Sequence, residues 1–322
     1  MLRRPPPPLR EAPPSRGWHV SSTHTTFGTK ATIMITKPNV KINLGLNVIR
    51  KREDGFHDLE TLFVPYFGIS DTLEIITGDD YSQTSAAIFG KYAPEMIAQG
   101  ISEDGRLMIT IARAEGVDWD PLKDLCAKAY YILAEDHQLP PVKIFLEKTS
   151  PVGAGLGGGS SDAAFALKMM NELFSLGLSE EQLAVYAARL GSDCAFFIYN
   201  RPMIGEGRGE ILTSYPLEGL DYGQKDTSSS EYELQVLTPE GVAVSTADAY
   251  RGIRPHLPEV PLREALSKPV GQWQDVLSND FEETVFAKYP ELAAIKKSLY
   301  DSGADYASMS GSGSALFGIY RK

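Results

Sequence analysis

The chain is 322 residues long, 43% hydrophobic and 23% charged, a balance that suits a soluble globular protein of one large or two moderate domains. Its net charge of −11 argues against a nucleic-acid binder, which needs a basic face, and no apolar run is long enough to span a membrane. Two cysteines, Cys126 and Cys194, have no metal-site spacing and read as buried, reduced residues of a cytoplasmic protein.

Residues 1–30 are rich in proline and arginine, nearly free of acids, and lack the apolar segment of a secretory signal. They are expected to be a disordered leader. An organelle address and a translation start at Met34 both stay open for it. From Ala31 the text is patterned for strands, interrupted at Pro38 and Asn39, and "DTLEIIT" and "GRLMITIA" are further strands. "DPLKDLCAKAYYILAEDH" lines up Leu122, Leu125, Ala129, Ile132 and Leu133 on one helical stripe. "VKIFLEK" alternates as a strand and runs directly into "SPVGAGLGGGSSDAA", which holds five glycines. The helix that follows is expected to stop at Gly177, and Ser179 with Gln182 forms a capping box for the next one.

"GEGRGEIL" reads as a turn into a strand, and the polar stretch from Gly219 to Glu231 as an exposed hairpin loop before the strand "YELQVLTP". A capped helix at "STADAYRGI", two helices split near Pro290, and a closing strand, glycine turn and strand complete the order. Strands and helices are mixed without strict alternation, so the fold class is α+β, divided near residue 200.

Phosphate binding is the best use of the glycine loop. The mononucleotide P-loop fails for want of a lysine after the glycines. Gly153, Gly155 and Gly158 formally match a dinucleotide fingerprint, but the acidic residue ending a second strand is missing. A helix N-terminus alone suffices: its free amides and dipole favour an anion, and glycines let the backbone approach it. The alternative is that Ser160, Ser161 and Asp162 merely cap the helix.

"PVGAGLGGGSSDAA" resembles the ATP-binding motif of the GHMP kinase superfamily, and "PNVKINLGLNVIRKREDGFHDLETLF" and "SMSGSGSALFGIY" resemble its other motifs. The forms "KINLGL" and "DGFH" are most similar to the family of 4-diphosphocytidyl-2-C-methyl-D-erythritol kinases, with the likeness running from about Ile35 to Tyr320. That resemblance implies a two-domain GHMP kinase fold, with a ribosomal protein S5 domain 2-like N-terminal domain (31–200) and a ferredoxin-like C-terminal domain (201–322). It also implies transfer of the γ-phosphate of ATP, with Mg²⁺, to the 2-hydroxyl of a cytidine diphosphate-linked methylerythritol, a step of the non-mevalonate route to isoprenoid precursors.

Carried onto this chain, the family's catalytic pair falls on Lys41 and Asp193. Its ATP loop covers Pro151, Val152, Gly153, Ala154, Gly155, Leu156, Gly157, Gly158, Gly159, Ser160 and Ser161. Phe56 would stack on the cytosine, where the family more often has tyrosine, His57 would bond its edge, and Asn43 would contact the methylerythritol part. Ser161 is a candidate for placing the ion, with no direct metal ligand implied among the side chains. Asp124 stands where the family tends to have asparagine, and the turn Ser310–Ser314 is either a second phosphate-side loop or a plain connection. The alternatives are another GHMP kinase acting on mevalonate, homoserine or a sugar, a non-catalytic nucleotide-binding module, and an NAD-dependent oxidoreductase.

Overall fold

The computed structural model describes residues 19–21, 32–78, 83–224 and 227–322, whose apolar runs assemble into three sheets. The six-stranded sheet has the order β1 (His19–Ser21), β2 (Ile33–Thr36), β5 (Thr72–Thr77), β8 (Val142–Lys148), β7 (Leu107–Arg113), β6 (Ile97–Ile101). A second sheet runs β10 (Ile211–Ser214), β9 (Met203–Glu206), β4 (His57–Ser70), β3 (Asn39–Lys51). The third runs β11 (Leu220–Asp221), β12 (Tyr232–Leu237), β14 (Leu316–Arg321), β13 (Tyr306–Met309). The helices are α1 (Gln83–Lys91), α2 (Leu125–Ala134), α3 (Gly158–Leu173), α4 (Glu180–Leu190), α5 (Cys194–Tyr199), α6 (Thr246–Arg251), α7 (Leu262–Leu266), α8 (Phe281–Lys288) and α9 (Pro290–Asp301).

Several expectations need correction. Of the leader expected to be disordered, His19–Ser21 instead pair antiparallel with β2; the rest of it lies outside the described residues. The stripe from Leu122 begins as a helix only at Leu125, because Asp124 caps α2 by accepting the Cys126 N–H at 2.8 Å. Helix α3 starts three residues earlier than "SDAA", inside the glycines, and ends at Leu173 rather than Gly177. Leu220–Asp221 pair in parallel with β12, so the polar stretch is no hairpin; Lys225 and Asp226 in it lie outside the described residues. The capping box of α4 forms as expected.

Strand β3 positions the site by its period of two. Val40, Ile42 and Leu44 turn into a core shared with Leu62, Leu234, Phe317 and Ile319, which leaves Lys41 and Asn43 for the opposite face. At Gly45 the register with β4 shifts by one residue, a bulge that turns Leu46 and Val48 into a different core with Phe281 and Leu316. Helices α2, α3, α4 and α5 close the other main core against the six-stranded sheet. Strands β9 and β10, although they follow residue 200, pair back onto β4 and so join the two parts of the chain.

Candidate active site

The glycine loop is held by its non-glycine residues. Ala154 and Leu156 are buried in the core beside β3, while Gly153, Gly155 and Gly157 face a cavity of 270 Å³. Pro151 is half-buried and Val152 exposed ahead of them. The Lys41 N–H donates to the Leu156 carbonyl at 2.9 Å, and the Ala315 N–H to the Ala154 carbonyl at 3.1 Å. Gly155 is pinned twice through its carbonyl, by the Lys41 ammonium at 2.8 Å and the Ser310 hydroxyl at 3.1 Å. Its φ is +76°, and a Cβ there would lie 2.1 Å from the Ser310 carbonyl oxygen.

Gly157, with φ +71°, is the N-cap of α3 and brings no side chain to cap it. The Ser161 N–H is the first to find a helical carbonyl, that of Gly157 at 2.9 Å, so the amides ahead of it have no partner within the helix. This removes the capping alternative, because Ser160, Ser161 and Asp162 lie inside the helix rather than before it. Gly158 is buried against the Ser150 hydroxyl, whereas a Cβ on Gly159 would meet open space. Ser160 is half-buried, and Ser161 is fully buried with its hydroxyl unpartnered.

Two substitutions separate the roles of these glycines. Gly155→Ala is expected to destabilise the fold by more than the ~1–2 kcal/mol of left-handed strain alone, since the clash is with backbone. Gly159→Ala is expected to hold or raise the melting temperature, by up to about 1 kcal/mol of helix propensity, yet to raise the KM for ATP. Thermal unfolding with ATP titration checks both, and an unchanged KM in Gly159→Ala would count against phosphate contact at that turn.

Lys41 is 3% exposed, and its Nζ donates to Asn43 Oδ1 at 2.5 Å and to the Gly155 carbonyl. Two of its three hydrogens are therefore committed to holding the ammonium, and the carboxylate of Asp193 stands 3.5 Å away. Burial lowers the Lys41 pKa, and the charge of Asp193 opposes that shift. Asp193 occupies the N-cap position of α5, but its carboxylate makes no capping bond and faces Lys41 instead. Asn43 is also buried; its amide donates to the Thr61 hydroxyl at 3.2 Å, so its side chain positions Lys41.

Phe56 ends the tight turn between β3 and β4, where Asp54 accepts its N–H at 3.1 Å, and His57 opens β4 opposite Lys51. Neither belongs to the lining of the cavity, and two other residues connect them to it. His57 stacks on Tyr250, with ring centroids 4.8 Å apart, and Tyr250 lines the cavity close enough to Asp193 for that charge to join burial in raising its pKa. Burial, seconded by Lys51, lowers the His57 pKa and favours the neutral ring, which can both donate and accept. Phe56, 55% exposed, carries the Arg208 guanidinium 5.1 Å above its ring, and Arg208 also lines the cavity. Asp124, besides capping α2, accepts from the Trp119 indole at 3.1 Å. A larger cavity of 580 Å³, lined by Thr77, Met108, Pro141, Leu173 and others, shares no residue with this site.

The family model for the GHMP kinases N terminal domain matches residues 124–201, and that for the GHMP kinases C terminal matches residues 262–322. A 4-diphosphocytidyl-2-C-methyl-D-erythritol kinase of Bacteroides fragilis is 45% identical over 287 residues, covering 89% of this chain and 92% of that protein. One of Shouchella clausii is 32% identical, covering 89% and 85%. The chain belongs to this family of GHMP kinases.

A solved structure of a 4-(cytidine 5'-diphospho)-2C-methyl-D-erythritol kinase, 29% identical, superimposes with a TM-score of 0.64 over 89% of this chain and 90% of its own. A homoserine kinase from Cytophaga hutchinsonii, 16% identical, shares the α+β GHMP kinase fold with a TM-score of 0.55 over 93% and 88%. Tyr250 and Arg208 are the site residues that sequence reasoning passed over. Tyr250 sat in a helix with ordinary spacing and Arg208 in a glycine turn, and neither shows its partner without the fold. Thr246 and Ser312, whose hydroxyls lie 3.1 Å apart, likewise join α6 to the C-terminal glycine turn at the cavity.

Proposed function

We propose that the chain transfers the γ-phosphoryl group of ATP to the 2-hydroxyl of 4-diphosphocytidyl-2-C-methyl-D-erythritol, giving the 2-phosphate and ADP on the non-mevalonate route to isopentenyl diphosphate. The observation that carries it is the pairing of Lys41 with Asp193 at the cavity into which the uncapped N-terminus of α3 opens. The loop Pro151–Ser161 binds the phosphates of ATP through backbone amides, with the helix dipole behind them. Asp193 accepts the proton of the acceptor hydroxyl as its oxygen bonds to the γ-phosphorus and the bond to the β-bridging oxygen breaks. Lys41, fixed by Asn43 and Gly155, offers its remaining hydrogen to the charge on the reacting oxygens.

Magnesium, delivered with ATP as part of the substrate, would neutralise charge on the phosphate oxygens. Among the described residues no group of three or more His, Cys, Asp and Glu side chains is placed to hold a metal. Half-buried Ser160 is better placed to help than Ser161, whose hydroxyl is enclosed. The buried free thiols Cys126 and Cys194 suit a reducing cytoplasm.

Phe56 stacks on the cytosine and neutral His57 bonds its edge, with Tyr250 as the aromatic partner. His57→Ala is expected to raise the KM for the cytidyl substrate by about tenfold or more, the worth of a buried hydrogen bond, and that for ATP far less. Equal changes would make His57 a support for Tyr250 only. The reading as a whole is tested by ADP release with ATP and Mg²⁺ over four acceptors: 4-diphosphocytidyl-2-C-methylerythritol, mevalonate, homoserine and galactose. Release with the first alone is expected; release with another would keep the kinase and change the substrate. Silence with all four would leave a nucleotide-binding module.

A further inference from the structure

We propose that Arg208 is the residue that binds the diphosphate of the cytidyl substrate, and so distinguishes a cytidine diphosphate from the bare nucleoside. The assignment rests on the substrate proposed above. Among the described residues, two cations line the cavity, Lys41 and Arg208. Two hydrogens of Lys41 are held by Asn43 and Gly155 and the third is assigned to the transferring phosphoryl group beside Asp193, which leaves Arg208 to meet a second anionic group.

Its place in the fold suits that group. Arg208 sits on the turn between β9 and β10, where Gly207 accepts the Leu59 N–H at 2.7 Å and Gly209 packs against the Phe63 ring. Phe63 in turn lies beneath Lys41, with Nζ 5.6 Å from the ring centroid. On its other side the Arg208 guanidinium lies over Phe56. Arg208 thus stands between the residues assigned to the base and the residues assigned to phosphoryl transfer, the position that the diphosphate occupies in the order of the substrate itself.

The electrostatics require a cation there. A diphosphate brought beside the Asp193 carboxylate, in a chain of net charge −11, is repelled unless a positive group lies closer. A guanidinium meets this need better than an ammonium, since its planar fork matches two phosphate oxygens while its face stays stacked on an aromatic ring. Glu210 does not remove Arg208 from this role. Its Oε2 accepts the Arg208 backbone N–H, closing the turn, and its Oε1 stands 3.6 Å from Nε. The side chain of Arg208 remains 46% exposed, so substitution there leaves the core intact.

The test is calorimetric titration of the full chain with CDP and with cytidine, in the unsubstituted protein and in Arg208→Gln and Arg208→Lys. Arg208→Gln is expected to weaken CDP by about 10- to 100-fold, the range of a charge-assisted hydrogen bond, and cytidine by less than about twofold. Arg208→Lys is expected to recover part of the loss, and the salt dependence of CDP binding to flatten in the glutamine variant. Equal losses for CDP and cytidine would show that Arg208 only braces Phe56, and an unaltered CDP affinity would overturn the assignment outright. Failure of the unsubstituted protein to bind either compound would refute the cytidyl substrate itself, and the role of Arg208 with it, before any variant is compared.

Discussion

Asparagine in place of Asp193 is expected to lower kcat by about 10²- to 10⁴-fold, the usual worth of a general base, with the KM for ATP changed by less than about threefold. The reason lies in what the carboxylate does and does not touch. It caps no helix and bonds no core group; its neighbours are Lys41 at 3.5 Å and the adjacent Ser192 hydroxyl at 3.4 Å. Asparagine keeps the shape, so the fold and the loop proposed to bind ATP are undisturbed, and only proton acceptance and the negative charge are lost. Single-turnover phosphoryl transfer, with ATP binding measured separately, makes the distinction. Near-normal turnover would remove Asp193 from the chemistry, and a parallel loss of ATP affinity would assign it to binding instead.

Lys148→Met is expected to cost about 3–5 kcal/mol of stability, as breaking a buried ion pair from one side does. Lys148 ends β8 just before the glycine loop and is 6% exposed. Its Nζ lies 2.5 Å from Asp71 Oδ2, 2.6 Å from Asp162 Oδ2 and 3.3 Å from the Ser150 hydroxyl. Asp71 is fully engaged, also accepting the Thr149 and Ser150 N–H groups at 2.7 Å and the Ser150 hydroxyl at 2.6 Å. Asp162, one turn into α3, has an oxygen with no partner, and burial pushes its pKa well above the carboxylate range. Without the lysine, two buried carboxylates would face each other.

The sign of the accompanying pH effect follows from the raised pKa. Folded Asp162 binds a proton more tightly than the unfolded chain does, so its own contribution to stability is fully present below the ordinary carboxylate pKa and is lost as pH rises through the folded value. Asp162→Asn is expected to flatten that decline and to cost much less than Lys148→Met. Chemical unfolding of both variants across acid and neutral pH tests this. A Lys148→Met protein as stable as the parent would show that the three charges contribute nothing net.

The glycine loop proposed to hold phosphate was legible in the sequence because its requirement is local: unhindered backbone followed by a good helix former needs no knowledge of the rest of the chain. Lys41 and Asp193 became legible only together with the surrounding motifs. Taken singly, each matched a surface lysine or a capping aspartate, and it is the fold that shows Asp193 declining to cap. The resemblance assigns Asn43 to the substrate, and Asn43 does line the cavity, but its bond to Lys41 depends on β3 turning residues two apart to the same side and shows only in the fold. Strand β4 escaped notice because its 14 residues mix charged, aromatic and glycine positions with no clean alternation. Tyr250 and Arg208 reach His57 and Phe56 from segments far along the chain, and nothing in their own neighbourhoods signals it.

Gly155 is gripped by Ser310, which lies 155 residues further along the chain, and Ala154 by Ala315. During synthesis on the ribosome, the loop proposed to cradle the nucleotide therefore emerges long before the residues that set its shape. A nascent chain, or one cut short before this turn, lacks a finished cradle even where its first half has folded. On the proposed role of the loop, occupancy by ATP reports completion of the chain, and a nucleotide present in the cell favours full-length molecules over fragments by mass action.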